Sequence, residues 1–430
     1  MTFTILSCYF NFNNNPWMQD NTRYCTQQWR KAGARVIFVE IALESEPFVF
    51  YPAVDEGDDD TRNIFHKLIQ LHVRDIMWYK EMALNIALQQ VESTASTDIV
   101  AWFDNDVFFV PPPTDTTLGD DWWVQSIEHT FKQTPAISLV QPFSTLVLTT
   151  ETVRNNLLGL SPIHDTKQTT PETTTEKTDT HEPTNKSMTY EDAIDKCTRM
   201  ARIRKSIMCD SQQGVTGCMW VARAKHIKAC GFFGHSYMSG GDDFLLNVLQ
   251  GAMSSRALPI VSNDMQRYYF QERGPFARHI MRYRKKWQMQ TGIPARCAYL
   301  PCTIMHLHHG ELEKKNTHVA RYTFFHQRHF NATRHVCAHR HHRGAVQWTD
   351  GFRQSGVNQF MLTSFERSQT VRDKVLLRMA RTQKCLEDMK KQMGVVIGAQ
   401  STKNEHTTQN YQNLASVLQH CLKAFDTIDV

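Results

Sequence analysis

Long apolar runs are absent from this 430-residue chain. No stretch approaches the roughly eighteen apolar residues of a membrane-spanning helix, so no membrane partner is expected. A basic segment followed by an apolar core is also absent from the first residues, which predicts a first strand there and not a secretory signal. The eleven cysteines have no regular spacing, which favours free thiols in a reducing compartment over a disulfide framework.

Acidic residues are scarce in residues 267–343, where 15 Lys and Arg and 11 His accompany 3 acids. Residues 1–130 show the opposite balance, with 19 acids and 8 Lys and Arg. The asymmetry predicts a polyanionic partner for the second region, either a ligand's pyrophosphate or a nucleic acid. In the densest basic cluster, four cations can contact phosphates and a neighbouring aromatic ring can stack on a base. This cluster consists of Arg282, Arg284, Lys285, Lys286 and Trp287, with Tyr283 beside them.

Predicted strands and helices alternate over the first hundred residues. Residues 4–10 and 34–41 are typical of strands, and residues 23–32 between them are typical of a helix. Helical spacing at residues 78–90 then precedes a run of bulky apolar residues at 99–103 that predicts a strand buried on both faces. This order indicates an α/β fold with a doubly wound, mostly parallel sheet, whose ligands bind beyond the carboxyl ends of the strands.

Composition changes twice along the chain. Residues 160–187 are rich in Thr, Lys, Glu and Pro and have almost no bulky apolar residues, which predicts a disordered insertion. From residue 358 onward, apolar residues at helical spacing predict a helical C-terminal appendage, residues 358–430. The rest, residues 1–357, is predicted to form a single catalytic domain around the insertion.

Two carboxylates directly follow the buried strand. Asp104 and Asp106 lie one residue apart, and apolar residues resume at Val107. Ionised carboxylates at the end of a buried strand are costly unless something compensates them. A divalent cation carrying phosphate oxygens would do so, because carboxylate oxygens suit Mg²⁺ or Mn²⁺. The alternative is an ordinary turn, since Asp-X-Asp often occurs by chance.

Three other segments carry polar groups that can surround such a ligand. Lys80 can neutralise phosphate and Asn85 can hydrogen-bond a nucleoside, although both can also be solvated residues of a helix. Gly240 and Gly241 permit close approach of the backbone to a ligand. They precede Asp242 and Asp243, which either act as a general base or cap a helix.

Histidines recur near the end of the second region. Strand alternation at Thr303–His309 would place His306 and His308 on one face, where a neutral imidazole can complete the metal shell that Asp104 and Asp106 begin. A structural role is the alternative for any one of them.

Together these segments resemble a family, the GT-A-type glycosyltransferases known mostly from bacteria and viruses. The resemblance covers residues 2–351 apart from the Thr-rich insertion. It implies a UDP-sugar donor, Mn²⁺ or Mg²⁺ near Asp104, Asp106 and a histidine, and a base at Asp242 or Asp243. The motifs that carry it are Trp78-Tyr79-Lys80-Glu81 with Leu84-Asn85, Val100 to Asp106, Gln141-Pro142-Phe143, Gly217 to Arg223, Gly240-Gly241-Asp242 and His306 to Gly310.

Within this family, the chain is similar to the base J-associated glucosyltransferases. The similarity lies in the GT-A-type core, the absence of a secretory signal and the basic second half. It implies transfer of glucose from UDP-glucose to hydroxymethyluracil in DNA, with inversion at the sugar carbon, in the nucleus or alternatively the cytoplasm. One alternative is a cytosolic transferase that acts on a protein or glycan. The other is a non-catalytic nucleic-acid-binding protein on a transferase fold.

Overall fold

The computed structural model describes most of the chain up to Phe365. The described residues are 2–50, 64–92, 98–112, 118–160, 189–200, 202–210, 214–237, 240–250, 277–292, 294–310, 321, 324–325, 327–330, 332–338 and 346–365. The insertion predicted at residues 160–187 lies outside this part of the chain except for Leu160, as does the predicted appendage beyond Phe365.

Thirteen strands and eleven helices are assigned in the described residues. The strands are β1 (Phe3–Phe10), β2 (Arg35–Leu43), β3 (Lys67–Val73), β4 (Ile99–Phe103), β5 (Val107–Val110), β6 (Leu139–Gln141), β7 (Thr145–Leu148), β8 (Ile203–Lys205), β9 (Met219–Arg223), β10 (Cys297–Tyr299), β11 (Thr303–His306), β12 (Val336–Ala338) and β13 (Val346–Trp348). The helices are α1 (Pro16–Lys31), α2 (Lys80–Leu88), α3 (Trp122–Gln133), α4 (Glu151–Leu157), α5 (Tyr190–Arg199), α6 (Ala224–Cys230), α7 (Gly241–Leu249), α8 (Ala277–Thr291), α9 (Ala332–His335), α10 (Asp350–Arg353) and α11 (Val357–Phe365).

A seven-stranded sheet in the order β10-β6-β9-β4-β1-β2-β3 forms the centre of the molecule. Strands β4, β1, β2 and β3 pair in parallel, and β10 pairs in parallel with β6. Only β9 within this sheet runs antiparallel to its neighbours. The mixed α/β class and the mostly parallel central sheet are therefore confirmed.

The period-two alternation of the strands divides the core between the two faces of this sheet. On β1, Leu6 packs with residues of α2, α6, α7 and α8, whereas its neighbour Ile5 packs on the opposite face with residues of α1 and α3. On β4, Trp102 lies on the same face as Leu6 and Phe103 lies on the same face as Ile5. All five residues of β4 are buried, and the strand ends at Phe103, directly before Asp104.

A second sheet, in the order β5-β11-β7-β8, positions the histidines. Strand β5 begins immediately after Asp106, and β11 pairs antiparallel with it so that His306 lies opposite Val107. The end of β11 is thus fixed beside the start of β5. A pairing between strands almost two hundred residues apart brings His306 to the Asp-X-Asp turn.

The last described elements are joined to the sheet through Asp75, whose carboxylate is buried. Arg353 donates from Nε to Oδ1 at 2.6 Å and from Nη2 to Oδ2 at 2.8 Å. The backbone N of Trp348 and the side-chain amide of Asn358 complete its hydrogen bonds at 2.9 and 3.0 Å. Helix α11 belongs to the compact unit Met1–Phe365, which extends past the boundary predicted at residue 357.

None of the helices in the described residues is long and apolar enough to cross a membrane. The cysteines of the same residues are free thiols.

Candidate functional site

The Asp-X-Asp turn lies at the carboxyl ends of β1 and β4, where a parallel sheet places its ligands. The backbone N of Asp104 donates to the carbonyl of Cys218 at 2.8 Å, and the backbone N of Cys218 donates back to Asp104 Oδ2 at 3.2 Å. Cys218 has a φ of 78°, so the chain bends sharply at this point. This exchange aligns the turn with the residues that precede β9.

Asp106, His306 and His309 form the one group of three potential metal ligands in the described part of the chain. Their ligand atoms all lie within 4.8 Å of one another. His306 Nε2 is 3.6 Å from Asp106 Oδ1, and His309 Nε2 is 3.2 Å from Asp106 Oδ2. The three side chains therefore converge on one point.

The donor set fits a divalent metal ion. Asp106 is buried, and its Oδ1 has no hydrogen-bond partner among the described residues. Leaving a buried carboxylate oxygen without a donor is costly, whereas a bound cation would compensate it. One carboxylate and two imidazoles are common ligands of divalent transition metals. The alternative role for the two histidines is a simple electrostatic pairing with Asp106.

His308 is placed differently from the sequence-based prediction. Strand β11 ends at His306, so strand alternation does not continue to His308. The ring of His308 instead packs edge-on against Trp17, with centroids 5.2 Å apart. The structure thus brings His309 to Asp106, and strand periodicity could not have identified it because the chain leaves the strand first.

A buried ion-pair cluster adjoins the turn. Lys80 Nζ lies 2.6 Å from Asp104 Oδ1 and 2.7 Å from Asp242 Oδ2, and the Lys80 side chain is only 11% exposed. Burial alone would lower the pKa of Lys80, but Asp104, Asp242 and Glu81 outweigh it and hold that pKa well above its usual value. The ammonium therefore stays charged and joins two carboxylates that are far apart in sequence.

Two neighbours shape this cluster around Asp242. The indole N of Trp102 donates to Asp242 Oδ1 at 3.2 Å. Gly217 faces both carboxylates, since a Cβ there would lie 3.8 Å from Asp242 Oδ2 and 4.0 Å from Asp104 Oδ2. A small residue at Gly217 keeps the space beside the two carboxylates open.

Asp242 and Asp243 occupy the first turn of α7, but neither caps it. The N-cap is Gly240, which has a left-handed φ of 79° and no side-chain cap. Asp243 accepts a hydrogen bond from the hydroxyl of Thr216. Burial raises the pKa of Asp243 to about 6, although the bond from Thr216 opposes this. The two acids thus lie in different environments, and Asp242 is the one within the ion-pair cluster.

Glu81 belongs to the Trp78-Tyr79-Lys80-Glu81 motif, but no chemical role is predicted for it from the sequence. Its side chain is buried, and its Oε2 has no hydrogen-bond partner among the described residues. A Cβ at Gly241 would overlap Glu81 Oε1, so Gly241 is required for packing against this carboxyl group. Burial raises the pKa of Glu81 to about 8; Lys80 opposes this shift and Asp242 adds to it.

We expect Glu81→Gln to stabilise the fold increasingly as pH rises. The folded pKa lies above the unfolded value of 4.5, so between about pH 4.5 and pH 8 the unfolded chain releases this proton while the folded protein keeps it. The wild type therefore loses stability over this window. The amide does not ionise, so the unfolding free energy of the variant should rise relative to that of the wild type over this window, by on the order of a few kcal/mol. The difference in melting temperature between the two proteins should grow accordingly. Thermal melts at several pH values measure it, with exposed Glu44→Gln as the control. An equal difference at pH 5 and pH 8.5 would contradict the assignment.

Asn85 does not turn toward a ligand in the structure. Its Nδ2 donates to the carbonyl of Phe232 at 3.0 Å, and its Oδ1 accepts from the backbone N of Phe232 at 2.8 Å. Both ends of the amide are therefore engaged in joining α2 to the segment after α6. These contacts of Asn85 thus support a structural role, and the predicted nucleoside contact stays a prediction.

The basic cluster on α8 divides between two faces. Arg282, Lys285 and Lys286 are exposed, and Arg284 is half-buried. Trp287 is buried in the core and therefore unable to stack on a base, which corrects that prediction. Tyr283 is also buried and donates to the carbonyl of Gly231 at 2.9 Å. The two rings lie one helical turn apart, so they form the inward face of α8.

No family model and no curated protein matches the chain. Among solved structures, the crystal structure of S. aureus TarS 1-349 is similar over 57% of this chain and 53% of that chain, with 12% sequence identity and a TM-score of 0.26. The chain thus spans about half the length of that structure. Similarity at this level carries no argument about fold or activity.

Proposed function

We propose that this protein is a metal-dependent glycosyltransferase that uses a nucleotide-sugar donor. The observation that carries the proposal is the convergence of Asp106, His306 and His309 beside the Lys80 ion-pair cluster, at the carboxyl ends of the central strands. The order of motifs that resembles GT-A-type glycosyltransferases supports the same activity. A metal centre and a buried ammonium side by side match the charge of a diphosphate.

The metal would be held by Asp106, His306 and His309. When bound, a divalent cation supplies neutralisation of the charge that develops on a departing diphosphate. Two imidazoles in the donor set favour Mn²⁺ over Mg²⁺, because Mg²⁺ prefers an all-oxygen shell. In the structure, Asp104 binds Lys80 and the backbone N of Cys218. Its predicted role as a further ligand would add to these contacts, because each carboxylate oxygen can accept more than one.

The other roles follow from position in the cluster. Lys80 presents a buried ammonium for phosphate, and its neighbouring carboxylates hold its pKa above the usual value. Asp242 is the base that we favour, because it faces the space beside Gly217 and Asp104, whereas Asp243 is bonded to Thr216. It would take the proton of the acceptor hydroxyl as that oxygen attacks the sugar carbon and the diphosphate leaves. Such a displacement inverts the sugar carbon.

A donor screen tests the activity class. The full chain is incubated with UDP-glucose and other UDP-sugars, with Mn²⁺, with Mg²⁺ or with chelator, and release of UDP is measured. The proposal expects metal-dependent release that is faster with Mn²⁺ than with Mg²⁺. Release that is indifferent to chelator would overturn the metal role, and no release with any donor or acceptor would overturn the activity.

For the donor and acceptor we propose UDP-glucose and hydroxymethyluracil in DNA, and for the location the nucleus. The support is the resemblance to base J-associated glucosyltransferases and the basic second region. On α8, Arg282, Lys285 and Lys286 are exposed and free to approach phosphates. A protein or glycan acceptor is the alternative. A non-catalytic nucleic-acid-binding role is less well supported, because the cluster of Lys80, Asp104 and Asp242 is intact.

Replacing Arg282, Lys285 and Lys286 with alanine is expected to weaken DNA binding and flatten its salt dependence. Each phosphate contact releases a counterion, so each lost contact should lower the slope by roughly one unit. Binding is measured against salt concentration by fluorescence anisotropy. Met281→Ala and Met289→Ala, on exposed uncharged residues of the same helix, serve as controls.

Donor hydrolysis should survive this triple replacement, because α8 contributes none of the proposed metal ligands. Lost donor turnover with unchanged DNA affinity would show that the charge serves the diphosphate. In that case the protein or glycan acceptor becomes the better proposal.

A further inference from the structure

The segment that carries the histidines is held by side chains instead of strand pairing. After His306 the chain leaves β11, yet His309 still reaches Asp106. Two asparagines of the α1 region bind its backbone. Asn15 Nδ2 donates to the carbonyl of His309 at 2.5 Å, and Asn21 Nδ2 donates to the carbonyl of His308 at 3.1 Å.

Thr149 fixes the start of the same segment. Its hydroxyl donates to the carbonyl of His306 at 3.2 Å and accepts from the backbone N of His308 at 2.7 Å. The backbone N of Leu307 donates to the carbonyl of Asp106 at 2.8 Å. The backbone between the two metal-facing histidines is thus bonded on several sides, including directly to Asp106.

A buried arginine orients one of the asparagines. Arg154 is 2% exposed, and its Nε donates to Asn21 Oδ1 at 2.6 Å. Its other nitrogens bind Asn155 Oδ1 at 2.8 Å and the carbonyl of Trp17 at 3.3 Å. Because Arg154 takes the amide oxygen of Asn21, the Nδ2 of Asn21 is directed at His308.

We infer that Asn15, Asn21, Thr149 and Arg154 are positioning residues for the metal centre, and we call them the histidine cradle. The inference rests on the proposed metal-binding function and assigns a role to residues that touch neither metal nor substrate.

Burying this many polar side chains is costly unless each hydrogen bond is made. An apolar contact could pack α1 against the segment, but it could not fix the backbone carbonyls of His308 and His309, from which the His309 side chain extends. Outer groups that orient ligands typically change metal affinity by about 10- to 100-fold when removed.

Asn15 permits a clean test because it has a second, separable task. It caps α1, accepting from the backbone N of Trp17 at 3.0 Å. Ser and Asp are equally good caps, but neither can make the Asn15 bond to His309, because Ser is too short and Asp has no donor. Asn15→Ser and Asn15→Asp therefore keep the cap, lose the His309 bond and differ from each other in charge. Asn21→Asp likewise keeps the acceptor for Arg154 and loses the donor to His308.

The experiment measures Mn²⁺ affinity by calorimetry and, in metal-free protein at fixed pH, the imidazole ¹⁵N shifts of His309. We expect all three variants to bind Mn²⁺ about 10-fold or more weakly and to change the His309 shifts. Thr189→Ala is the control: it removes the cap of α5, whose partner is Asp192, and should lower the melting temperature without either effect.

Wild-type Mn²⁺ affinity in the variants would overturn the inference. If the wild type binds no Mn²⁺, the proposed metal function fails, and the ¹⁵N shifts still decide whether the cradle sets His309. Unchanged shifts in all three variants would then overturn the cradle as well.

Discussion

Replacing Asp106 with asparagine is expected to abolish Mn²⁺ binding and sugar transfer while the protein stays folded. The amide keeps the shape of the side chain but removes the charge that faces His306 and His309. Loss of a direct ligand should exceed the losses of about 10- to 100-fold that follow removal of supporting groups. Mn²⁺ calorimetry, UDP release and a thermal melt measure the three quantities.

Asp195→Asn provides the matched control for Asp106→Asn. Asp195 is exposed and pairs with Arg199 within α5, so its replacement should leave metal binding and turnover unchanged. If Asp106→Asn keeps normal Mn²⁺ affinity and turnover, the convergence of Asp106 with the two histidines serves only the fold.

The second large effect concerns the base. Asp242→Asn is expected to lower the rate of transfer by roughly 10²- to 10⁴-fold, the usual contribution of a general base. Donor binding should change much less, because Asp106 and both histidines remain in place. The measurement is the rate of transfer at saturating donor as a function of pH, together with the affinity for UDP.

Asp243→Asn is the natural control for Asp242→Asn because the two residues are adjacent on α7. Asp243 binds Thr216 and lies outside the ion-pair cluster, so its replacement should cost far less activity. If the two variants show the reverse order of effect, the base is Asp243. Its pKa of about 6 would then suit proton abstraction near neutral pH.

The sequence predicted the elements that depend on local pattern. The apolar run Ile99–Phe103 indicated a buried strand, and the structure places β4 in the centre of the sheet with Asp104 and Asp106 at its carboxyl end. Alternating strands and helices indicated the parallel part of the sheet. These inferences succeeded because periodicity and chain order carry the information they need.

The features that depend on contacts distant in sequence were not predictable. His309 reaches Asp106 from a segment whose backbone accepts hydrogen bonds from Asn15 and Asn21, about 290 residues away. The ion pairs of Lys80 with Asp104 and Asp242 also join residues far apart in sequence, so local pattern does not predict them. The spacing of residues within one segment does not show which distant segments will pack against it.

The burial of individual side chains was also not predicted from the sequence. Trp287 was predicted to stack on nucleic acid because it lies beside four cations in sequence. On a helix, however, residues beside one another in sequence point in different directions. Tyr283 lies one helical turn before Trp287, and both side chains face the core. The burial of Glu81 was not predictable either, since only the structure shows Gly241 packed against it.

In the proposed activity, Asp106, His306 and His309 hold the metal ion that the donor diphosphate requires. Anomalous diffraction from crystals of the full chain grown with Mn²⁺ and UDP tests it most directly. We expect one manganese peak bonded to the Asp106 carboxylate and to Nε2 of both histidines, with the diphosphate against it. UDP bound with no manganese at these three residues, or manganese bound only elsewhere, would contradict it.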